Sequence, residues 1–333
     1  MKDSTQNGNG TSGLHAHAKP FPPGIHVPSL TFFKKDARQE IDWELQERHL
    51  EFLISSGLHG IVLAGTNGEA AALTTTEKIE LVRLTKKLTQ KLGRPSVPVV
   101  LGCGGGCTRA VIEETAEAGK AGADYALVLI PSFFHFAMDS SAIIDFFQKL
   151  ADESPIPILI YNFPGVVAGL DVNSEMLEVL GQHPNIVGVK LTCGGIGKVT
   201  RISARFDPNE FSALAGQSDW LIPALSIGGT GCITGVGNLY PKTCLEIYNL
   251  YTAGKLKEAG ELQKQLGIME WGFGKGGING TKWVVSKKLG YPETSADCRQ
   301  PYPTYTDECK RDWILKQVQV LDPIEKGLSK MAN

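Results

Sequence analysis

The sequence predicts an α/β fold in which eight parallel strands alternate with helices and close into a (β/α)8 TIM barrel, followed by a C-terminal helical extension. Three observations predict it. Short, continuously apolar runs recur along the chain, as strands covered on both faces require. Amphipathic segments lie between them. Eight such units fit within about 250 residues, the usual span of this barrel. An open doubly wound sheet uses the same alternation, and periodicity alone does not close the ring.

The strands are expected over residues 25–31, 60–64, 97–102, 125–130, 157–161, 186–191, 211–215 and 231–235. Helical patterns over 40–56, 76–92 and 108–121 place apolar residues at intervals of three and four. Local signals mark their ends. Thr74-Thr75-Thr76-Glu77 offers capping hydroxyls and an acid in the first turn, and Gly57 and Gly93 stand where helices stop. An apolar helix pattern around 313–321 belongs to the extension. The expected division is a disordered tail over 1–23, a barrel over 24–270 and the extension over 271–333.

The tail is rich in Gly, Asn, Ser, Thr and His, lacks an apolar h-region and is almost free of basic residues, so it reads as neither signal nor transit peptide. His15 and His17 fit a solvated tail better than a metal site. Met331-Ala332-Asn333 is not a peroxisomal address. A net charge of -2 from 33 basic and 35 acidic residues leaves no footprint for nucleic acid or an anionic membrane. No apolar run approaches the ~20 residues of a spanning helix. Seven cysteines without paired ligand spacing suit a reducing compartment. The expected partner is a small molecule and the expected location cytoplasmic.

In a barrel the chemistry sits at the carboxyl ends of strands, so polar residues there matter most. Lys190 closes the run Ile186-Val187-Gly188-Val189. Burial favours its neutral amine, a nucleophile that forms imines with ketones, although pairing with a barrel carboxylate is the alternative. Tyr161 closes Ile158-Leu159-Ile160 and can relay protons, or satisfy one buried hydrogen bond. Gly65-Thr66-Asn67-Gly68-Glu69 follows the second strand; its backbone N–H groups can hold a carboxylate, while Glu69 can instead brace the loop.

Two glycine clusters invite other readings. Residues 272–277, Gly-Phe-Gly-Lys-Gly-Gly, match G-x-G-x-x-G, but no strand precedes them. Gly102-Cys103-Gly104-Gly105-Gly106 lacks the Lys-Ser/Thr of a phosphate-binding loop and reads as a tight turn.

Taken together, Gly65-Thr66-Asn67-Gly68-Glu69, Tyr161-Asn162-Phe163-Pro164 and Gly188-Val189-Lys190 resemble the dihydrodipicolinate synthase and N-acetylneuraminate lyase family. The resemblance runs from Gly24 to Gly290. It takes in Ala215-Gly216-Gln217, the glycine-rich eighth strand and Gly280-Thr281-Lys282-Trp283. It implies a Schiff-base aldolase barrel, a homotetramer, and no metal or organic cofactor. By that resemblance Lys190 is the imine lysine, Tyr161 the acid/base, and Gly65, Thr66, Asn67, Gly216, Ile233 and His135 contact the 2-keto acid.

The departures narrow the reaction. Val166 stands where the synthases carry an arginine, which removes a clamp for a second carboxylate. Phe134 stands where many members carry a second tyrosine, leaving His135 or water for that step. The usual double threonine is Thr66-Asn67. Within the family the chain resembles the fungal L-threo-3-deoxy-hexulosonate (2-keto-3-deoxy-L-galactonate) aldolases of D-galacturonate catabolism. Cleavage to pyruvate and L-glyceraldehyde is expected. The rivals are a 4-hydroxy-2-oxoglutarate aldolase, with Arg109 or Lys198 as cationic partner, a dehydratase, and a non-catalytic keto-acid-binding barrel.

Overall fold

The computed structural model describes residues 18–331. Eight parallel strands close in sequence order into a barrel: β1 Gly24–Pro28, β2 Gly60–Leu63, β3 Val99–Cys103, β4 Tyr125–Leu129, β5 Ile158–Asn162, β6 Ile186–Leu191, β7 Ser212–Ala215 and β8 Gly231–Ile233. Closure is completed by parallel pairing of β1 with β8, so the open sheet is excluded. Each strand lies on an apolar run that predicted it.

Helices α1 Trp43–Ser55, α2 Thr75–Lys91, α3 Thr108–Ala121, α4 Ser140–Glu153, α5 Ser174–Leu180, α6 Ile196–Ser203, α7 Leu221–Ser226 and α8 Pro241–Thr252 surround the barrel. The expected caps form. Thr74 accepts from the Glu77 backbone while the Glu77 carboxylate reaches back to Thr74, a complete capping box. Gly57 and Gly93 both take positive φ where their helices end. Long α9 Leu256–Leu289 is followed by α10 Glu308–Val318 and α11 Asp322–Met331.

The boundary expected at 270/271 therefore falls inside a helix. The cluster at 272–277 also lies within α9, which breaks at Gly277, where φ is 61° and ψ −166°. A Cβ on Gly272 would come within 2.9 Å of Gln317, and one on Gly276 within 2.7 Å of Ile314. These glycines let α10 pack closely on α9; no nucleotide-binding turn exists there.

Two apolar layers hold the barrel. One fills the space between strands and helices. The other occupies the interior and contains Phe21, Val62, Val100, Tyr125, Leu127, Leu159, Tyr161, Val187, Leu214 and Ile233. Phe21 enters it from the expected tail, which is therefore not tail to its end. The ring is 1% exposed, meets Tyr125 edge-on at 5.0 Å, and seals the amino end of the barrel. Backbone carbonyls fix it: Tyr125 donates to the Pro20 oxygen at 2.8 Å and Ser212 to the Phe21 oxygen at 2.9 Å. His15 and His17 lie outside the described residues.

Phe21→Ala removes this plug without touching the carboxyl end. Urea unfolding should show a loss of about 3–5 kcal/mol, the range for a buried phenylalanine.

Candidate active site

Lys190 points into the barrel because β6 is irregular. Ile158 of β5 pairs with Ile186, but the next residue, Leu159, pairs with Gly188, which leaves Val187 as an extra residue. The bulge resets the alternation: Val187 joins the interior layer, Val189 the outer one, and Lys190 turns inward. Gly188 permits it. Its φ of 155° brings the backbone so near β7 that a Cβ would sit 2.4 Å from the Ser212 carbonyl oxygen.

The Lys190 side chain is 2% exposed, and its Nζ lies 4.1 Å from the centre of the Tyr161 ring. Among the described residues the buried lysines Lys78 and Lys282 are paired with Glu114 and Glu69, whereas Lys190 has no such carboxylate. The paired alternative left open by the sequence is not the arrangement observed.

Tyr161 is the cross-strand neighbour of Lys190, and its hydroxyl lies 3.0 Å from the Thr66 hydroxyl. Thus the loop after β2 and the ends of β5 and β6 converge at the carboxyl mouth. Gly65 is buried, Thr66 and Asn67 half-buried, and the Asn67 amide lies against Gly235 beyond β8.

Glu69 takes the bracing role. Its carboxylate accepts from Lys282 Nζ at 2.8 Å and from the Arg299 backbone at 2.9 Å, both partners lying in or after α9. The pair is almost wholly buried. Burial holds the Lys282 ammonium below the usual lysine range, although Glu69 acts to raise it. The Arg299 guanidinium bonds Glu77 and the Ala72 carbonyl, which extends the brace to the start of α2. Sequence reasoning noted Lys282 in the resemblance and gave it no role; a charge in the buried face of an amphipathic helix was the available signal.

The remaining candidates separate. Gly216 packs so tightly on Thr192 that a Cβ would lie 2.2 Å from Thr192 Oγ1, and Ile233 is fully buried in the same interior layer as Tyr161. Thr192 was missed by the sequence reading: one residue beyond β6, its hydroxyl is buried and has no hydrogen-bond partner among the described residues. His135 is exposed on the turn His135–Ala137 after β4, where its ring meets Phe136 at 5.7 Å. No hydrogen bond among the described residues links it to Lys190, Tyr161 or Thr66.

Neither cation proposed for a second carboxylate is free. Arg109 is exposed and bonded to Glu113 at 2.8 Å. Lys198 is held by Asp171 and the Val172 carbonyl, and Asn162 donates to the same Asp171. Val166 is exposed in the turn after β5. Among the described residues no three His, Cys, Asp or Glu side chains cluster as metal ligands.

The model of the dihydrodipicolinate synthetase family matches residues 22–318. The chain belongs to this family. A Coccidioides immitis protein with the provisional name mitochondrial 4-hydroxy-2-oxoglutarate aldolase is 40% identical over 92% of this chain and 98% of its own length. The L-threo-3-deoxy-hexylosonate aldolase of Hypocrea jecorina is 39% identical over 81% of this chain and 88% of its own. Among solved structures, a dihydrodipicolinate synthase family protein from Coccidioides immitis superposes with a TM-score of 0.83. It is 37% identical and covers 94% of this chain and 99% of its own. No helix among the described residues is long and apolar enough to cross a membrane.

Lys282→Met leaves Glu69 buried with only a backbone donor. Stability in urea should fall by about 3–5 kcal/mol, the penalty for an orphaned buried charge, and Glu69→Gln in the same chain should restore most of it.

Proposed function

We propose that the chain is a Schiff-base aldolase that cleaves L-threo-3-deoxy-hexulosonate reversibly to pyruvate and L-glyceraldehyde. The observation that carries this reading is Lys190, buried inside the barrel with no carboxylate partner among the described residues, against a tyrosine whose hydroxyl meets Thr66. The family supports the chemistry, and a relative's name supports the substrate.

The Lys190 amine attacks the C2 ketone of the substrate, and loss of water gives an iminium that withdraws electrons from C3. Tyr161, having given its phenolic proton to the departing water, accepts the C4 hydroxyl proton as the C3–C4 bond breaks. The aldehyde leaves, and the bond's electron pair remains in the enamine of pyruvate. Protonation at C3 and hydrolysis of the imine release pyruvate and return Lys190. Backbone donors of Gly65, Thr66 and Asn67 receive the substrate carboxylate, and Gly216 and Ile233 line the pocket.

A 4-hydroxy-2-oxoglutarate aldolase is favoured by the names of two relatives. Its glyoxylate product carries a second carboxylate. Val166 offers no charge to it, and both Arg109 and Lys198 are already paired with acids.

By the family resemblance the assembly is a homotetramer serving D-galacturonate breakdown, with multi-angle light scattering as the test of mass. Cytoplasmic residence rests on the sequence reading and opposes the location in the names of two relatives; import into isolated mitochondria tests it.

Borohydride reduction in the presence of pyruvate should give a covalent adduct by mass spectrometry in the wild type and none in Lys190→Ala. Condensation should prefer L-glyceraldehyde to glyoxylate in kcat/KM by about tenfold or more, since a desolvated, unpaired carboxylate is costly. The reverse preference assigns the other aldolase. A dehydrated keto acid in place of an aldehyde rules both out.

A further inference from the structure

One buried acid near the site has no part in the reaction described. Glu270, on α9, is 8% exposed, and among the described residues no cation pairs with it. It reaches between the carboxyl ends of two barrel strands. Its Oε2 accepts from the Ser218 backbone at 2.9 Å and the Ser218 hydroxyl at 2.8 Å, just beyond β7. Its Oε1 lies 3.2 Å from the Thr234 hydroxyl, just beyond β8. The two hydroxyls are themselves 2.8 Å apart. From the same helix Gln263 donates to the Ser218 carbonyl at 2.7 Å.

Three oxygen–oxygen contacts thus form a closed ring, and counting protons decides its state. Ser218 and Thr234 bring one hydroxyl proton each, which serves two contacts. With Glu270 ionised, one contact sets lone pair against lone pair. With Glu270 protonated, every contact has a donor: Glu270 to Thr234, Thr234 to Ser218, Ser218 to Glu270. Thr234 retains a lone pair for the Val236 backbone N–H, which it accepts at 3.1 Å.

We propose that Glu270 is a positioning residue that works as a neutral carboxylic acid, closing this ring to fix Gly216 and Ile233, and that losing its proton loosens the pocket. Gly216 lies two residues before Ser218 and Ile233 one before Thr234, so the ring fastens the two segments that flank Lys190 on that side. The inference rests on the aldolase reading of the site.

Electrostatics agree with the proton count. Burial pushes the Glu270 carboxyl up to about 7, and the Asp219 carboxylate acts in the same direction, against the hydrogen bonds from Ser218 and from the Asp219 backbone. Other titratable groups facing this region are Cys232 on β8 and Cys244 on α8, with Lys190 and Glu325 beyond them. Since the folded-state value lies above the ordinary 4.5, the fold holds this proton more tightly than the unfolded chain does. The resulting stability is complete below the ordinary value and is lost as pH rises through about 7.

Glu270→Gln tests it, because the amide donates to Thr234 and accepts from Ser218 at every pH. The half-saturating pyruvate concentration for borohydride trapping is measured between about pH 6 and 8.5 in both proteins. In the wild type it should rise relative to Glu270→Gln above neutrality. Near pH 8 the difference should reach up to ~10-fold, if only the protonated tenth binds well. Infrared difference spectra should show a protonated carboxyl near neutral pH in the wild type that Glu270→Gln lacks.

Parallel pH profiles in the two proteins overturn the positioning role even if thermal stability differs. An ionised Glu270 throughout the range overturns it without any activity measurement. No adduct in the wild type at any pH overturns the aldolase reading and this one together.

Discussion

The site depends on one irregularity in a regular sheet. Strict alternation from the interior Val187 would direct Lys190 outward, into the apolar layer between strands and helices, where no substrate reaches. The extra residue at Val187 and the positive φ of Gly188 turn the amine inward instead. Everything functional follows from that half-turn: the amine faces Tyr161, Tyr161 faces Thr66, and the carboxyl mouth becomes a place where a ketone, a nucleophile and a proton carrier can meet. The price is local, since only glycine fits 2.4 Å from a neighbouring carbonyl.

The two ends of the barrel are built differently. The amino end is closed by packing of Phe21 on Tyr125, with Tyr125 and Ser212 donating to the carbonyls of Pro20 and Phe21. The carboxyl end must stay polar and open, so its loops cannot be held by hydrophobic burial alone. Buried polar contacts from α9 and the segment after it hold them. Lys282 with Arg299 fixes the β2 loop through Glu69, and Glu270 with Gln263 fixes the ends of β7 and β8 through Ser218 and Thr234. The extension contributes no catalytic candidate, yet it determines the shape in which the candidates are presented. Close contact of α10 with α9 at Gly272 and Gly276 holds that support in place.

The proposed specificity rests on charges that are absent or already satisfied. The 40% and 39% identities to differently named aldolases weigh almost equally, because the imine step is common to both reactions. The distinction lies at the far end of the substrate, where an aldehyde bearing hydroxyls and one bearing a carboxylate make different electrostatic demands. Val166 and the neutralised Lys198 give that end little positive charge to offer.

The sequence by itself determined the order and type of the elements. Apolar strand runs and amphipathic helices are local consequences of burying backbone and side chains together, and all eight strands could be read from them. It also determined that Lys190, Tyr161 and the loop from Gly65 to Glu69 end strands, since a polar residue closing an apolar run is visible without a structure. The bounds of the tail and of the extension were less legible: Phe21 is a lone aromatic among prolines, and α9 runs through the expected boundary. Only the tertiary structure decided which way Lys190 points, that it lacks a carboxylate, that His135 stands apart from it, and that Glu69, Lys282 and Glu270 are supports. Those facts depend on strand register and on contacts between residues separated by 36 to 230 positions, which no local pattern encodes.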